Sequence, residues 1–293
     1  MKIRFGVGTS SGTGPEEFAA LVDRLESAGV DSLWLSELVY SRSVDPFVGM
    51  AFALGRTTRL KVGTSVAILP GRHPVLVAKQ LASLAGLAPK RVLPVFGLQP
   101  ARAGERELFP VPQGKRGAVF DESLRLLRTA LDRDRFAFQG EFFTVGDAGL
   151  GARPARPLDI WLGGSAPAAY RRIGRLADGW LGSFLTPAEA ADGRKTIQAA
   201  AAEAGREIEA DHFGTSVLLA PDGLPDDLAV AIVRRRPGVD PSDLVAGSWK
   251  ELHRLIDGYL EAGLSKFVVG TVGETPVGEF VDGFIAELLP RQN

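Results

Sequence analysis

The sequence predicts an α/β protein, a closed (β/α)8 TIM barrel, and three observations carry that prediction. Eight short apolar runs recur along the 293 residues, each followed by at least one segment of helical spacing. Strands that alternate with helices build a parallel sheet, and eight of them in this length close into a barrel. The composition, 45% hydrophobic and 24% charged, is that of an ordinary soluble enzyme. A six-stranded doubly wound sheet is the competing fold. Residues 1–293 are expected to form one domain, with a β-hairpin inserted before the fifth strand and insertion loops at the carboxyl-terminal face.

The elements follow in order. Ile3 to Val7 is the first strand, and Pro15 to Ala28 a helix burying Phe18, Leu21, Val22 and Leu25, stopped by Gly29. Ser32 to Ser36 is the second strand. Asp45-Pro46 caps and opens the next helix, to about Arg56. Leu60 to Ile68 reads as one continuous third strand. His73, more a cap than a catalyst, precedes Pro74 and a helix ending near Gly86. Arg91 to Phe96 is the fourth strand. Pro94 inside it cannot donate to a ladder, so a bulge or break is expected there.

A Gly- and Pro-rich loop spans Leu98 to Gly114, and Phe120 to Leu131 is a helix. Arg135 to Val145 alternates around Gln139-Gly140 and reads as the inserted hairpin. Leu158 to Leu162 is the fifth strand. Gly163, Gly164 and Ser165 follow it, and Pro167 opens a helix carrying Tyr170, Ile173 and Ala177 on one side. Gly179 to Ser183 is the sixth strand. Thr186-Pro187 with Glu189 forms a capping box for a helix ending near Gly205. Phe213 to Ala220 is the seventh strand, Pro225 to Arg236 a helix, and Ser248 with Glu251 caps another to Gly263. Lys266 to Gly270 and a helix from Pro276 to Leu289 complete the series.

Composition excludes several chemistries. The chain has no cysteine, so disulfides, thiolate metal sites and cysteine nucleophiles are out. Its three histidines, His73, His212 and His253, show no metal-ligand spacing, and no metal site is expected. A net charge of −1 gives no electrostatic case for nucleic acid or a membrane surface. The chain begins at once with a strand-like run and has no apolar span of membrane length, so the cytoplasm is the expected compartment.

A barrel places its chemistry in the loops after the strands. That rule assembles Ser36 and Glu37, Thr64 and Ser65, Gly97, Leu98 and Gln99, then Gly163-Gly164-Ser165, then Ser183, Phe184 and Thr186. Glycines at a strand-to-helix turn let backbone N–H groups reach a ligand, and the helix start adds free donors and partial positive charge. Gly163 to Ala166 is therefore a candidate phosphate loop, or else a tight turn that needs glycine for its dihedrals. The mouth lacks paired carboxylates, which argues against glycosidase chemistry. A site so poor in acids and bases suits a bound cofactor that brings its own reactivity.

The segments GVDSLWLSE, RLKVGTSVAILPGRHPVLVAKQLASL, LDIWLGGSAPAAYRRIGRLADGWL and YLEAGLSKFVVG together resemble the luciferase-like flavin and deazaflavin family. RVLPVFGL with SELV is similar to an actinobacterial branch that uses coenzyme F420. The resemblance implies a homodimeric barrel with the isoalloxazine or deazaflavin ring across the strand ends. The cofactor phosphate would lie on Gly163, Gly164, Ser165 and Ala166, and Ser36, Thr64, Ser65, Val66 and Gly97 would line the ring. Members using the deazaflavin often carry a cis peptide in the third strand, which by position would be Ser65-Val66. Where relatives have Asp-His after the second strand, this chain has Glu37-Leu38, so sugar-phosphate dehydrogenase activity is not implied. The usual Gly-Gly-Arg before the fourth strand is Pro89-Lys90-Arg91.

The expected activity is hydride transfer between F420 and a small organic substrate, with Glu37 contacting the ring edge or the substrate. An FMN-dependent monooxygenase and a non-catalytic flavin-binding barrel are the alternatives. Arg171, Arg172 and Arg175 are expected on a solvated face, and Trp34 in packing. Phe96 and Phe184 would line the ring pocket or fill the barrel.

Overall fold

The computed structural model describes residues 2–9 and 13–293. Its strands are β1 (Arg4–Thr9), β2 (Ser32–Leu35), β3 (Lys61–Thr64), β4 (Ala67–Ile68), β5 (Val92–Leu93) and β6 (Val95–Gly97), then β7 (Phe136–Gln139), β8 (Thr144–Ala148), β9 (Trp161–Gly163), β10 (Gly179–Ser183), β11 (Phe213–Leu219), β12 (Val245–Ala246) and β13 (Lys266–Thr271). The helices are α1 (Pro15–Ala28), α2 (Pro46–Arg56), α3 (Pro74–Leu87), α4 (Arg116–Asp132), α5 (Pro167–Leu176), α6 (Pro187–Glu203), α7 (Asp226–Arg235), α8 (Trp249–Glu261) and α9 (Val277–Leu288).

Parallel pairing runs from β4 through β6, β9, β10, β11, β13, β1, β2 and β3 to β5. Because β3 and β4 are two pieces of one stave, and β5 and β6 two pieces of the next, that path returns to its start. The eight staves form a closed barrel. The breaks lie side by side: Val62 pairs with Val92 below them and Ala67 with Phe96 above them.

Each break has a local cause. Pro94 has no N–H for the ladder. Beside it the Thr64 hydroxyl accepts from the Val95 N–H at 2.8 Å and donates to the Val95 carbonyl at 2.6 Å, so side chain replaces backbone. The third stave, expected to be continuous, is interrupted at Ser65-Val66, whose peptide bond is cis.

Two apolar layers follow from the alternation of strand side chains. Outward-facing residues such as Phe5, Leu33, Leu162 and Phe213 join the helices in one large core, each contributing about 1.5–3 kcal/mol by burial. Phe96 belongs to this layer and is fully buried, so it fills the protein and does not line the mouth. Inside the barrel, Trp34, Val95, Leu181 and Val268 form a separate cluster. They come from the second, fourth, sixth and eighth staves, the layer rule of this architecture.

Expected caps are present. Asp45 accepts from the N–H groups of Phe47 and Val48, and His73 Nδ1 from that of Val75 at 3.3 Å. Thr186 and Glu189 form the reciprocal capping box. The hairpin is β7 with β8, antiparallel. Its turn is held by Glu122 of α4, which accepts from the N–H groups of Glu141, Phe142 and Phe143 at 2.8–2.9 Å. A Cβ at Gly140 would stand 2.1 Å from that carboxylate, which explains the glycine.

Arg172 corrects the solvated-face reading. It is only 8% exposed, paired with Asp121 and lying 5.2 Å over the Phe120 ring. Packing of α5 on α4 turns a position that is polar in sequence into a buried tie between helices.

Candidate active site

The carboxyl-terminal mouth is floored by the smallest side chains in the chain. Two residues beyond the inner cluster on the same staves stand Ser36, Gly97, Ser183 and Gly270. On the intervening staves, register places Gly8 beside Trp34, Gly163 beside Leu181, and Ser216 beside Ser183. Ser65 completes that second set; its hydroxyl lies 3.5 Å from the Ser216 hydroxyl across the lumen. Apart from Val66, serine and glycine therefore make a hydroxyl-dotted basin above an apolar plug.

Val66 stands within this basin. A Cβ at Gly97 would fall 2.6 Å from its Cγ2, and one at Gly163 would fall 3.1 Å from its Cγ1. Those two glycines make room for the Val66 isopropyl group. The segment beneath is fixed from the second stave. Ser36 Oγ donates to the Ser65 carbonyl at 3.0 Å, and the Glu37 N–H donates to the Val66 carbonyl at 3.4 Å.

Glu37 is not free to meet a ring edge or substrate, a correction to the sequence reading. Its side chain is 2% exposed. The carboxylate accepts from Arg72 Nη2 at 2.5 Å, Arg72 Nη1 at 2.8 Å and the Ile68 N–H at 2.7 Å. Arg72 lies over the rings of Phe47 and Phe109, 5.7 and 4.9 Å from their centroids. Phe109 comes from the long loop after β6, and its backbone approaches to 2.7 Å of where a Gly71 Cβ would be. Glu37 and Arg72 thus bind the second stave, the third and the long loop into one unit. Arg72 was missed in sequence, although its Pro-Gly-Arg-His setting marks a turn where a long side chain can fold back.

Thr64 is corrected for a different reason. It is fully buried, and its hydroxyl is spent on both polar groups of Val95, so it offers nothing to a cofactor.

The loop after β9 is open. Gly164, Ser165 and Ala166 are exposed, and Gly164 has φ +117°, a conformation that favours glycine. The Gly164 carbonyl accepts from Trp180 Nε1 at 2.9 Å, which pins the turn to the barrel. Ala166 is the N-cap of α5 and no side chain caps that helix. Pro167 has no N–H and the Ala169 N–H donates to the Ala166 carbonyl at 2.8 Å, so Ala168 is the first-turn residue whose N–H is left to face outward, after those of Gly164, Ser165 and Ala166 in the loop. Beside Ser165 a hollow of about 400 Å³ is walled by Tyr170, Glu189, Gly193 and Arg236. Arg236 donates to the Phe184 carbonyl and pairs with Glu189. Burial, then the nearby Glu189 charge, pushes the Tyr170 hydroxyl above its ordinary range. Arg236 was also missed in sequence, because it reaches the mouth from the far end of α7. Phe184 is half-buried against the satellite core of Ala220 and Leu244.

A third missed residue is Glu105, on the long loop. It is fully buried and accepts from the Tyr40 N–H at 2.9 Å, while its Oε2 has no partner among the described residues. Among those residues one cluster has metal-compatible spacing, Glu209, Asp211 and His212. It adjoins the amino-terminal end of β11, away from the mouth, and Asp211 there is paired with Lys266 at 3.2 Å. Among the described residues no helix is long and apolar enough to cross a membrane.

Known proteins share this frame. A family model described as luciferase-like monooxygenase matches residues 1–266. An uncharacterized protein of Mycobacterium tuberculosis is 42% identical over 139 residues, 47% of each chain. An F420-dependent glucose-6-phosphate dehydrogenase of Nakamurella multipartita is 34% identical over 196 residues, 61% of this chain and 56% of that one. The chain thus aligns with about half the length of these curated relatives. Three solved structures share the fold at low identity. An F420-dependent secondary alcohol dehydrogenase in complex with an F420–acetone adduct has TM-score 0.84, with 19% identity over the whole of both chains. The coenzyme F420 dependent tetrahydromethanopterin reductase of Methanopyrus kandleri has TM-score 0.80, with 17% identity over all of both chains. The oxygenating constituent of a Pseudomonas putida Baeyer–Villiger monooxygenase with FMN has TM-score 0.75 and 17% identity, covering 100% of this chain and 99% of that one.

Proposed function

From the premise that this chain belongs to the luciferase-like monooxygenase family, and is an oxidoreductase of that kind, we propose that it transfers a hydride between coenzyme F420 and a small organic substrate. The observation that carries the reading is the basin of glycine and serine, with Val66 standing in it, beside the uncapped start of α5. A flat ring needs a floor without bulky side chains, and an anionic tail needs N–H donors; the two lie together here. F420-dependent relatives by sequence support the cofactor.

The deazaflavin, when bound, supplies the hydride-carrying carbon. The protein's own residues orient and shelter it. Ser36, Ser65, Ser183 and Ser216 offer hydroxyls along the ring face, and Gly97 and Gly163 leave the Val66 side chain in place behind it. The N–H groups of Gly164, Ser165, Ala166 and Ala168, with Arg236 nearby, would receive the phosphate and its extension. Glu37 is a positioning residue that holds the Ser65-Val66 segment through Ile68 and Arg72. With Leu38 where relatives carry histidine, we do not assign the sugar-phosphate substrate. A homodimer is part of the proposal, supported by exposed Val48 and Phe52 on α2 and Leu76 on α3.

A second reading is supported by the FMN-bound Baeyer–Villiger monooxygenase of the same fold. The basin's floor is equally flat for a flavin, whose ring nitrogen permits an oxygen adduct. Fluorescence titration with F420 and with FMN, paired with oxygen-uptake assays, separates the two. Tighter F420 binding and no oxygen consumption is the expected result. Tighter FMN binding with oxygen uptake would replace the first reading by the second. Saturable binding with no turnover over a broad alcohol and ketone panel would favour a non-catalytic barrel.

A further inference from the structure

The lumen has a second hollow, at the end opposite the mouth. It measures about 420 Å³, room for roughly a dozen waters, and opens where the strands begin. Sequence spacing creates it. Gly6, Gly63, Gly179 and Gly214 face inward below the Trp34 layer, where barrels usually carry branched side chains. The indoles lie down into the space the glycines leave. A Cβ at Gly6 would fall 2.3 Å from Trp34 Nε1, and one at Gly179 would fall 2.2 Å from the Trp161 ring. Trp34 is fixed by its Nε1 bond to Ser32 Oγ at 2.9 Å, and Trp161 packs on the His212 ring at 5.3 Å. Leu93 and Val95 complete the apolar wall.

The rim is charged and its balance is positive. Arg4, Lys61, Lys90, Arg156 and Lys266 face two carboxylates, Asp31 and Asp159, and with Asp211 behind Lys266 the excess is two cations. Asp31 is already held by Lys61 at 2.8 Å and Arg4 at 3.3 Å, and Lys266 by Asp211 at 3.2 Å. Lys90 and Arg156 form no hydrogen bond or ion pair among the described residues. Asp159 likewise has none, though it lies in the field of His212 and Arg128, and the rim thus offers two unpaired cations against one unpaired carboxylate.

Two fixed indoles around an apolar space, entered past surplus cations, describe a receptor for a flat apolar body with one negative charge. We propose that the amino-terminal end of the barrel is a second ligand site that takes a planar aromatic carboxylate, independently of the redox mouth. It stands on the walls and charges of the cavity alone and does not require the cofactor reading above.

Titration calorimetry with 2-naphthoate, against the neutral isostere 2-naphthalenemethanol, tests it. One naphthoate should bind per chain, at least tenfold more tightly than the alcohol. Leu93→Trp, which fills the cavity, should weaken naphthoate binding at least tenfold. The exposed rim variant Lys90→Glu/Arg156→Glu, which leaves the core untouched, should remove most of the preference for the anion. Ser183→Trp, which narrows the mouth, should leave naphthoate binding unchanged. Equal affinity for acid and alcohol, undiminished binding in the rim variant, or loss of binding only in Ser183→Trp would each overturn the proposal.

Discussion

Thr64 and Glu37 separate what a residue type suggests from what its surroundings allow. Both sit at strand ends where a barrel keeps its chemistry, and both are fully engaged by neighbours. Thr64→Val should therefore lower stability by about 1–3 kcal/mol, the cost of leaving the Val95 polar groups unpaired. Urea denaturation will show that loss, while cofactor affinity measured on the folded variant stays unchanged. Glu37→Gln removes the counter-charge of Arg72, which keeps 27% of its side chain exposed. Solvent screening brings the cost below the figure for a fully buried pair, to about 2 kcal/mol. In the proposed role Glu37 positions and does not transfer protons, so the variant's kcat/KM should fall with no change in the shape of its pH profile. Loss of an ionisation from that profile would restore Glu37 as an acid or base. The position of Glu37 was legible because strand ends are countable. Its partner was not, since Arg72 is folded back by a turn that no periodicity marks.

Elements were more legible than contacts. Pro94 announced the break in the fourth stave, since a missing N–H has a fixed consequence, whereas nothing in Thr64-Ser65-Val66-Ala67 marked the break beside it. The hairpin showed through its alternation, but the Glu122 carboxylate that ties its turn lies on a preceding helix and follows only from packing. A similar tie holds the approach to β3. Glu26 near the end of α1 accepts from the N–H groups of Thr58, Arg59 and Leu60. Partial burial opposes ionisation, but these bonds outweigh it and hold the carboxyl down at about 2. Since the folded value lies below the unfolded one, the stabilisation is full above about pH 4.5 and is lost as pH falls toward 2. Glu26→Gln should flatten the decline of stability over that acid window while lowering stability at neutral pH. Denaturation midpoints across the window check this, and parallel curves for the two proteins would refute it.

Across the whole molecule, the lumen runs from charge to indole and aliphatic to glycine and serine. That gradient was written in the strand sequences, in runs such as WLSE, WLGGS and LGSF, once each residue was assigned to the inner or outer face. What covers the outside was not readable. Val48, Phe52 and Leu76 are 63%, 45% and 67% exposed, on the neighbouring helices α2 and α3. If this face joins two copies, sedimentation should give a dimer for the wild type and a monomer for Val48→Glu/Leu76→Glu. A wild-type monomer at micromolar concentration would remove the dimer from the account.

The measurement that bears most directly on the central claim compares the affinity of F420 with that of the same deazaflavin stripped of its phosphate and tail. If the N–H groups at the start of α5 grip the anion, the full cofactor binds more tightly by roughly 10- to 100-fold, the worth of about 1.5–3 kcal/mol in charge-assisted hydrogen bonds. Gly164→Val, whose Cβ would meet that of Ala169 at 2.9 Å, should erase the difference. Equal affinity for the two forms in the wild-type protein would contradict it.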